Sequence, residues 1–242
     1  MAPRFIIPRF SEVTNISMLQ TTRHGGHSKT PFNSLNLSFD VGDDPSDVKK
    51  NLNLINKLTY EINWINQVHG DNVIELPSNN MIGDSVFTQE KNVICAVRTA
   101  DCLPILIANK SATVVAAIHA GWRSIGLGII EKTIKKIKAN SDLYAWLGPS
   151  ISVQNFEVGE DVYNFYINHD PELFLAFESF GEKYKLSLPL AAIIKLRRCG
   201  VKNISGSTID QNFCTYDDQK NFFSYRRDKN TGRMATMIWI NN

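Results

Sequence analysis

Three residues of this chain can do chemistry and stand where short apolar runs stop: His69 in Gln67-Val68-His69-Gly70, Cys102 after Asp101, and His119 ahead of Gly121-Trp122-Arg123. Imidazole and thiolate are strong ligands for borderline-soft cations. Two imidazoles with one thiolate leave a fourth tetrahedral position for water or substrate. The same residue types also make a nucleophile, Cys102, and its base, His119, with Asp101 as the group that orients the imidazole. A lone His or Cys beside a strand is more often part of the core, and free Cys is among the most buried residue types. The grouping weighs against that reading, because all three follow apolar runs and Asp101 adjoins one of them. Their spacing matches no short finger or Cys-x-x-Cys pattern, so the fold would have to gather them.

The elements that must do the gathering read as strands. Residues 62–68, 93–97 and 112–118 are apolar and rich in β-branched types, as strands covered on both faces are. A reactive group just past such a strand sits on a loop held by a rigid scaffold. After His119, the glycine of Gly121-Trp122-Arg123 predicts a tight turn into a helix of about 14 residues, with Leu127, Ile130, Ile134 and Ile137 on one face. The N-terminus of that helix would favour an anion, and Arg123 would add charge. Lys132, Lys135, Lys136 and Lys138 read as a solvated face.

Further anion contacts are open to two readings. Residues 16–22 read as a strand that runs into Arg23-His24-Gly25-Gly26-His27-Ser28, either an ordinary turn or a loop whose N–H groups and Arg23 cradle an anion. Asn36, in the alternating Ser34-Leu35-Asn36-Leu37-Ser38, either faces a site or satisfies a loop backbone. Asp84, after Gly83, reads mainly as a turn carboxylate at a strand start; the other reading is that Asp84 or Asp101 shuttles a proton beside a metal-bound hydroxide. Residues 221–228 and 233–240 predict a closing hairpin, which is a plain surface edge or brings Arg226 and Arg227 to hold a phosphate.

Scaffold signals are clearer. Asp44-Pro45 is a helix start, followed by the stripe Val48, Leu52, Ile55 and Leu58. Residues 143–147 read as a buried strand, and 160–168 and 187–199 as helices. A chain of 242 residues with 43% hydrophobic content can bury about 70–75% of its unfolded surface without a disulfide scaffold. No linker or low-complexity tract divides it, so one domain over residues 1–242 is expected. A net charge of +2 does not point to nucleic acid. No apolar run reaches the roughly 18 residues of a membrane span, and prolines interrupt the first ten residues, so a cytoplasmic protein is expected. Four cysteines without a Cys-x-x-Cys pair are expected as thiols, with Cys95 and Cys199 structural and Cys214 undecided.

Six separated motifs occur in order: QVHG at 67–70, TADCLPIL at 99–106, HAGWR at 119–123, AWLGP at 145–149, FEVG at 156–159 and FFSYRRD followed by TGRMA across 222–235. With TR.GG.S at 22–28 they resemble the YfiH-type laccase-domain family, also called the polyphenol oxidase or purine nucleoside phosphorylase laccase-domain family. The resemblance implies an α+β fold in four α/β/β/α layers with mixed sheets, like that of cytotoxic-necrotizing-factor-type proteins. It implies a zinc site on His69, Cys102 and His119, with Asp101 beside it. It also implies phosphorolysis of adenosine, inosine, guanosine and methylthioadenosine, with adenosine deamination as a second activity. Arg23, Asn36, Arg123, Arg226 and Arg227 are the residues expected to meet phosphate and nucleoside. Gly83 stands where alanine is expected before Asp84, and His24 and His27 are unusual in the glycine-rich loop.

The word laccase invites a multicopper oxidase, which needs several coppers held largely by His-x-His pairs; five histidines and no His-x-His do not supply them. One His₂Cys copper site remains compatible with the ligands. Three classes therefore stand beside each other: a zinc phosphorylase, a cysteine hydrolase, and a metal-binding protein without turnover.

Overall fold

The computed structural model describes residues 2–57, 59–137, 142–207 and 213–242. Its first half runs β1 (Phe5–Ile6), β2 (Ile16–Thr21), α1 (Pro45–Asn56), β3 (Val73–Glu75), β4 (Ser85–Thr88), β5 (Cys95–Thr99), β6 (Leu103–Asn109) and β7 (Val115–Ala120). The second half runs α2 (Trp122–Gly126), α3 (Ile129–Ile137), β8 (Leu143–Leu147), β9 (Glu157–Val158), α4 (Glu160–His169), β10 (Phe177–Phe180) and β11 (Lys183–Leu186). It ends with α5 (Leu188–Arg198), β12 (Asn203–Gly206), α6 (Tyr225–Asp228) and β13 (Met234–Ile240).

Side-chain alternation along the strands sorts the apolar residues into layers. A four-stranded sheet, β1-β2-β13-β5, faces a six-stranded one, β12-β8-β6-β7-β4-β3. Met18, Val97 and Ile238 of the first pack against Val86, Leu106 and Val115 of the second. On the outer side of the small sheet, Ala96, Ala235 and Met237 meet Ile55 and Leu52 of α1. On the outer side of the large sheet, Ile105, Ile107 and Ile118 lie under residues of α3, α4 and α5. The result is four layers, α/β/β/α; the six-stranded sheet is mixed, as expected, and the four-stranded one is antiparallel throughout. A fully buried Ile or Leu contributes about 1.5–3 kcal/mol, and β6 is buried along its whole length.

Local chemistry explains the scaffold elements. Asp44 accepts the Ser46 N–H at 2.8 Å and Pro45 opens α1; Leu58, expected on its stripe, lies outside the described residues. Ser187 caps α5 by accepting the Leu190 N–H at 3.2 Å. Lys195 of α5 is almost fully buried and paired with Glu131 and Asp170, which ties α3, α4 and α5 together.

Three sequence expectations are corrected. The helix after Gly121 is two helices, because Gly128 adopts φ +86 and α2 stops after five residues; Lys138 lies outside the described residues. Residues 62–68 form no strand, only an isolated bridge between Asn66 and Ile82. The closing hairpin is absent. Phe222 and Phe223 are buried, Ser224 caps the single turn α6 through the Arg227 N–H, and β13 pairs with β2 and β5 instead. A three-stranded sheet, β10-β11-β9, was not anticipated. No described helix is long and apolar enough to cross a membrane.

Candidate metal centre

β5 belongs to the small sheet and β6 to the large one, so the chain passes between sheets within Ala100-Asp101-Cys102. Asp101 makes that step at φ 100, in the region that L-residues rarely adopt. Its surroundings hold it there: the carboxylate accepts Thr215 Oγ1–H and the Arg226 N–H, both at 2.6 Å, and its carbonyl accepts the Ile151 N–H at 2.9 Å. Cys102 is thereby left at the end of the gap between the sheets. Parity puts His119 in the same gap, since Val115 and Ala117 face the inter-sheet core while Ala116, Ile118 and Ala120 face the helices. His119 lies inside β7, not beyond it.

Asp84 organises both histidines. The register that pairs Ser85 with Ile118 brings it beside His119, whose N–H donates to the Asp84 carbonyl at 2.7 Å. The fully buried Asp84 carboxylate accepts His119 Nδ1–H at 2.7 Å and the backbone N–H groups of His69 at 2.9 Å and Gly70 at 2.7 Å. Those bonds fix the exposed His69 at φ 57. They also assign the Nδ1 proton of His119 and leave Nε2 free as a ligand, the arrangement of a carboxylate, histidine and metal in series. Burial pushes the Asp84 carboxyl up, yet His119 and the loop N–H groups outweigh it and hold it below the usual range.

The ligand atoms of His69, Cys102 and His119 all lie within 4.8 Å of one another. Cys102 Sγ is 3.8 Å from His69 Nε2, and the two rings meet edge to face at 4.7 Å. Zinc bonds of about 2.3 Å to sulfur and about 2.0–2.1 Å to nitrogen separate tetrahedral ligands by roughly 3.6 Å, so this donor set fits a single ion. Among the described residues no other group of three such side chains could hold a metal. Gly121 completes the fit: a Cβ there would stand 3.1 Å from Cys102 Sγ and 3.2 Å from His69 Cδ2. Tyr166 steadies the same turn by donating its hydroxyl to the Trp122 carbonyl at 2.6 Å.

Without an ion Cys102 and His119 charge each other. Burial pushes the Cys102 thiol up, but the charge of His119 and hydrogen bonds from both imidazoles bring it down to about 6. Burial pushes His119 down, while the Cys102 thiolate and Asp84 raise it to about 9. A group with a depressed value is charged above it, so alkylation of Cys102 in metal-stripped protein is expected to rise through a midpoint near pH 6. Mass spectrometry of the Cys102 peptide after iodoacetamide pulses checks this. A midpoint near 9, the ordinary thiol value, would show that sulfur and imidazoles are unpaired.

The trio opens into a cavity of about 710 Å³, the size of a small-molecule site. Trp122, Phe156, Ile151 and Leu188 give it flat and apolar walls, and Arg98, Arg226, Lys229 and Arg233 give it cations. Of the residues expected to meet phosphate and nucleoside, Arg226 and no other lines it. Its Nη1–H donates to the Glu157 carbonyl and its guanidinium lies 5.0 Å from the Phe156 ring centre.

The structure does not bring the others to the wall. Arg23 is turned away, bonded to the carbonyls of Asn33 and Gln219 and lying over Phe223. The glycine loop is no cradle, since the Gly26 and His27 N–H groups donate to Ser34 Oγ and Asn51 Oδ1. Arg123 is exposed and lies over Trp122. Arg227 is consumed by Asp228 and the carbonyls of Thr215, Tyr216 and Phe222. Asn36 is buried behind the wall, where it accepts the Arg233 N–H at 2.9 Å and donates to the Ser38 carbonyl and Asp43. His24 bonds Asn221, and Cys214 is buried within 3.6 Å of Asn155 Nδ2.

Residues that sequence reasoning did not place at the site are Arg98, Lys229 and Arg233, and Asp84 was read mainly as a turn. The signal for Asp84 was the pairing of residues 85–88 with 115–118, which sets it opposite His119.

The purine nucleoside phosphorylase YfiH of Escherichia coli (strain K12) is 38% identical over 244 residues, covering 98% of this chain and 99% of that one. A purine nucleoside phosphorylase of Haemophilus influenzae is 40% identical, covering 97% and 98%. The crystal structure of a Neisseria meningitidis protein superposes with a TM-score of 0.92 at 36% identity, covering 98% of this chain and 99% of that chain. Residues 17–241 match the family described as multi-copper polyphenol oxidoreductase laccase. With relatives named YfiH and a fold shared across its whole length, the chain belongs to that laccase-domain family, the YfiH type.

Proposed function

We propose that the chain, as one domain over residues 1–242, is a cytoplasmic zinc-dependent purine nucleoside phosphorylase. Its substrates are adenosine, inosine, guanosine and methylthioadenosine, and it has adenosine deaminase activity as well. The observation that carries this reading is the placement of one His₂Cys donor set in a cavity that also holds cations and flat apolar walls. Relatives named purine nucleoside phosphorylase support it.

His69, Cys102 and His119 would hold the ion, which supplies Lewis-acid polarisation of a substrate atom when bound. Asp84 holds His119 in one tautomer and fixes the His69 loop. Asp101 positions Cys102 and the N-terminus of α6, each of its oxygens accepting one short hydrogen bond. Trp122 and Phe156 offer faces for a purine, and Arg226 contacts the nucleoside or phosphate. In phosphorolysis a phosphate oxygen bonds to C1′, the bond from C1′ to the base breaks, and the base leaves with the electron pair and takes up a proton. Walls that exclude water favour phosphate over water as the incoming group.

The sulfur and imidazole pairing also favours a second reading, a cysteine hydrolase in which Cys102 attacks and His119 is the base. In that reading the orienting carboxylate is Asp84, not Asp101. Copper in the same donor set would make the alternative a mononuclear polyphenol oxidase. Chromatographic product analysis of inosine and adenosine with and without phosphate tests the proposal. Free base and ribose 1-phosphate are expected only when phosphate is present, and inosine from adenosine in either case. Base release that ignores phosphate and survives chelation would overturn the phosphorylase in favour of hydrolysis.

A further inference from the structure

Arg198 and Arg227 are held by close carboxylates, Asp170 with Glu172 and Asp228. Two neighbouring arginines at the cavity wall, Arg98 and Arg233, are not. Arg98 lies on β5 opposite Ala235, and Arg233 precedes Met234, which pairs with Thr99. Antiparallel parity therefore puts Arg98 and Arg233 on the same sheet face as diagonal neighbours, about 7–8 Å apart at the backbone. Among the described residues Arg233 has no ion pair, and Arg98 has one, with the exposed Asp40 at 4.0 Å. A contact of that length with a solvated carboxylate contributes little.

Both guanidiniums are largely withdrawn from water, and burial holds both below the usual arginine range, with the charge of Arg233 lowering Arg98 further. The charge of Asp40 acts on both, and those of Cys102 and Asp101 on Arg233, but among the described residues no carboxylate accepts a hydrogen bond from either guanidinium. Arg233 Nη1–H donates to the carbonyls of Thr231 and Gly232, and its backbone is pinned by Asn36. Arg98 reaches the carbonyl of Ile65 at 3.2 Å and lies over Trp64. Carbonyls fix a guanidinium in place but supply no full counter-charge in contact with it. Two adjacent cations in a half-buried wall are costly unless an anion joins them, and guanidinium forks match phosphate oxygens.

We propose that Arg98 and Arg233, on the wall of the metal cavity, form the subsite for inorganic phosphate. The proposal rests on the phosphorylase reading for its biological use, and on two adjacent arginines without a close carboxylate for its location. It moves the phosphate contact from Arg23, Arg123 and Arg227 to the two strands whose ends border the cavity, with Asn36 as a positioning residue behind Arg233.

Calorimetric titration of the full chain with inorganic phosphate, without nucleoside, tests it. Wild type is expected to bind at one saturable site, and Arg233→Met and Arg98→Met to weaken binding about tenfold or more. Arg233→Lys is expected to recover part of the loss by returning the charge, and Arg123→Ala to bind as wild type does. Melting temperature and metal content are read on each variant; where Arg98→Met does not fold, Arg233→Met and Arg233→Lys decide. Wild-type affinity in a folded Arg233→Met, or no saturable phosphate binding by wild type, would overturn the subsite. Phosphate-dependent nucleoside cleavage together with unchanged binding in Arg233→Met would sink the subsite and spare the phosphorylase. Lost binding in the variants without any nucleoside cleavage would do the reverse.

Discussion

Cys102→Ala is expected to lose bound metal and turnover together while remaining folded. The sulfur is the single anionic ligand of the donor set, and it comes within 3.8 Å of His69 Nε2. Removing even an outer hydrogen-bond partner of a ligand costs about 10–100-fold in metal affinity, so deleting the ligand itself should exceed that range. Cys102 is half-buried at the mouth of the sheet gap, and the backbone step that places it is held by Asp101, Thr215 and Ile151. Truncation there should cost no more than about 1 kcal/mol of stability. Metal per chain by plasma mass spectrometry, a circular-dichroism melt and product formation from inosine measure the three quantities. A folded, metal-free variant with wild-type turnover would remove the centre from the mechanism; a folded variant that keeps its metal would remove Cys102 from the centre.

Asp84→Asn should be the most damaging change outside the ligands. One carboxylate meets the His119 ring N–H and the N–H groups of His69 and Gly70. Replacing one oxygen by an amide NH₂ sets a donor against donors in a fully buried position. An unsatisfied buried group costs about 1–3 kcal/mol, and the His69 loop, at positive φ, loses its anchor. Metal affinity should fall about 10–100-fold. Because the folded value of Asp84 is depressed, its contribution is fully present above the ordinary carboxylate range and is lost only as pH falls through the folded value. The stability gap between wild type and Asp84→Asn should therefore stay constant from neutral pH to about 5 and close in stronger acid. Urea unfolding across that range reads it; a gap that persists undiminished into strong acid would mean that the carboxylate charge is not what matters.

How much of this was legible in the sequence follows from what kind of information each feature needs. Helix α1 announces itself locally, through an N-cap, a proline and a stripe, so its bounds could be read from residues 44–55 alone. His69, Cys102 and His119 stand out because a polar residue at the end of an apolar run is a local contrast. Their approach to within 4.8 Å is not local; it comes from a chain that changes sheets in three residues and from the parity of β7. The anchoring of both histidines by Asp84 is not local either, since it depends on strand register with residue 118. Gly128 broke the helix after Gly121 because periodicity is blind to a single positive φ. The closing hairpin failed because Phe222 and Phe223 are aromatic for the sake of a small core around Ala100 and Met234, not for cross-strand pairing. Arginine is informative only with its partners in view: Arg227 and Arg233 lie in one motif, yet the first is spent on Asp228 and carbonyls and the second lines the cavity.

The central claim is that one ion held by His69, Cys102 and His119 is required for phosphate-dependent cleavage of a purine nucleoside. Formation of ribose 1-phosphate from inosine and phosphate, by protein stripped with a chelator and then titrated with zinc, tests it most directly. The account predicts product at background in the stripped protein and recovery that saturates at one zinc per chain. Undiminished product from protein shown to contain no metal would contradict it.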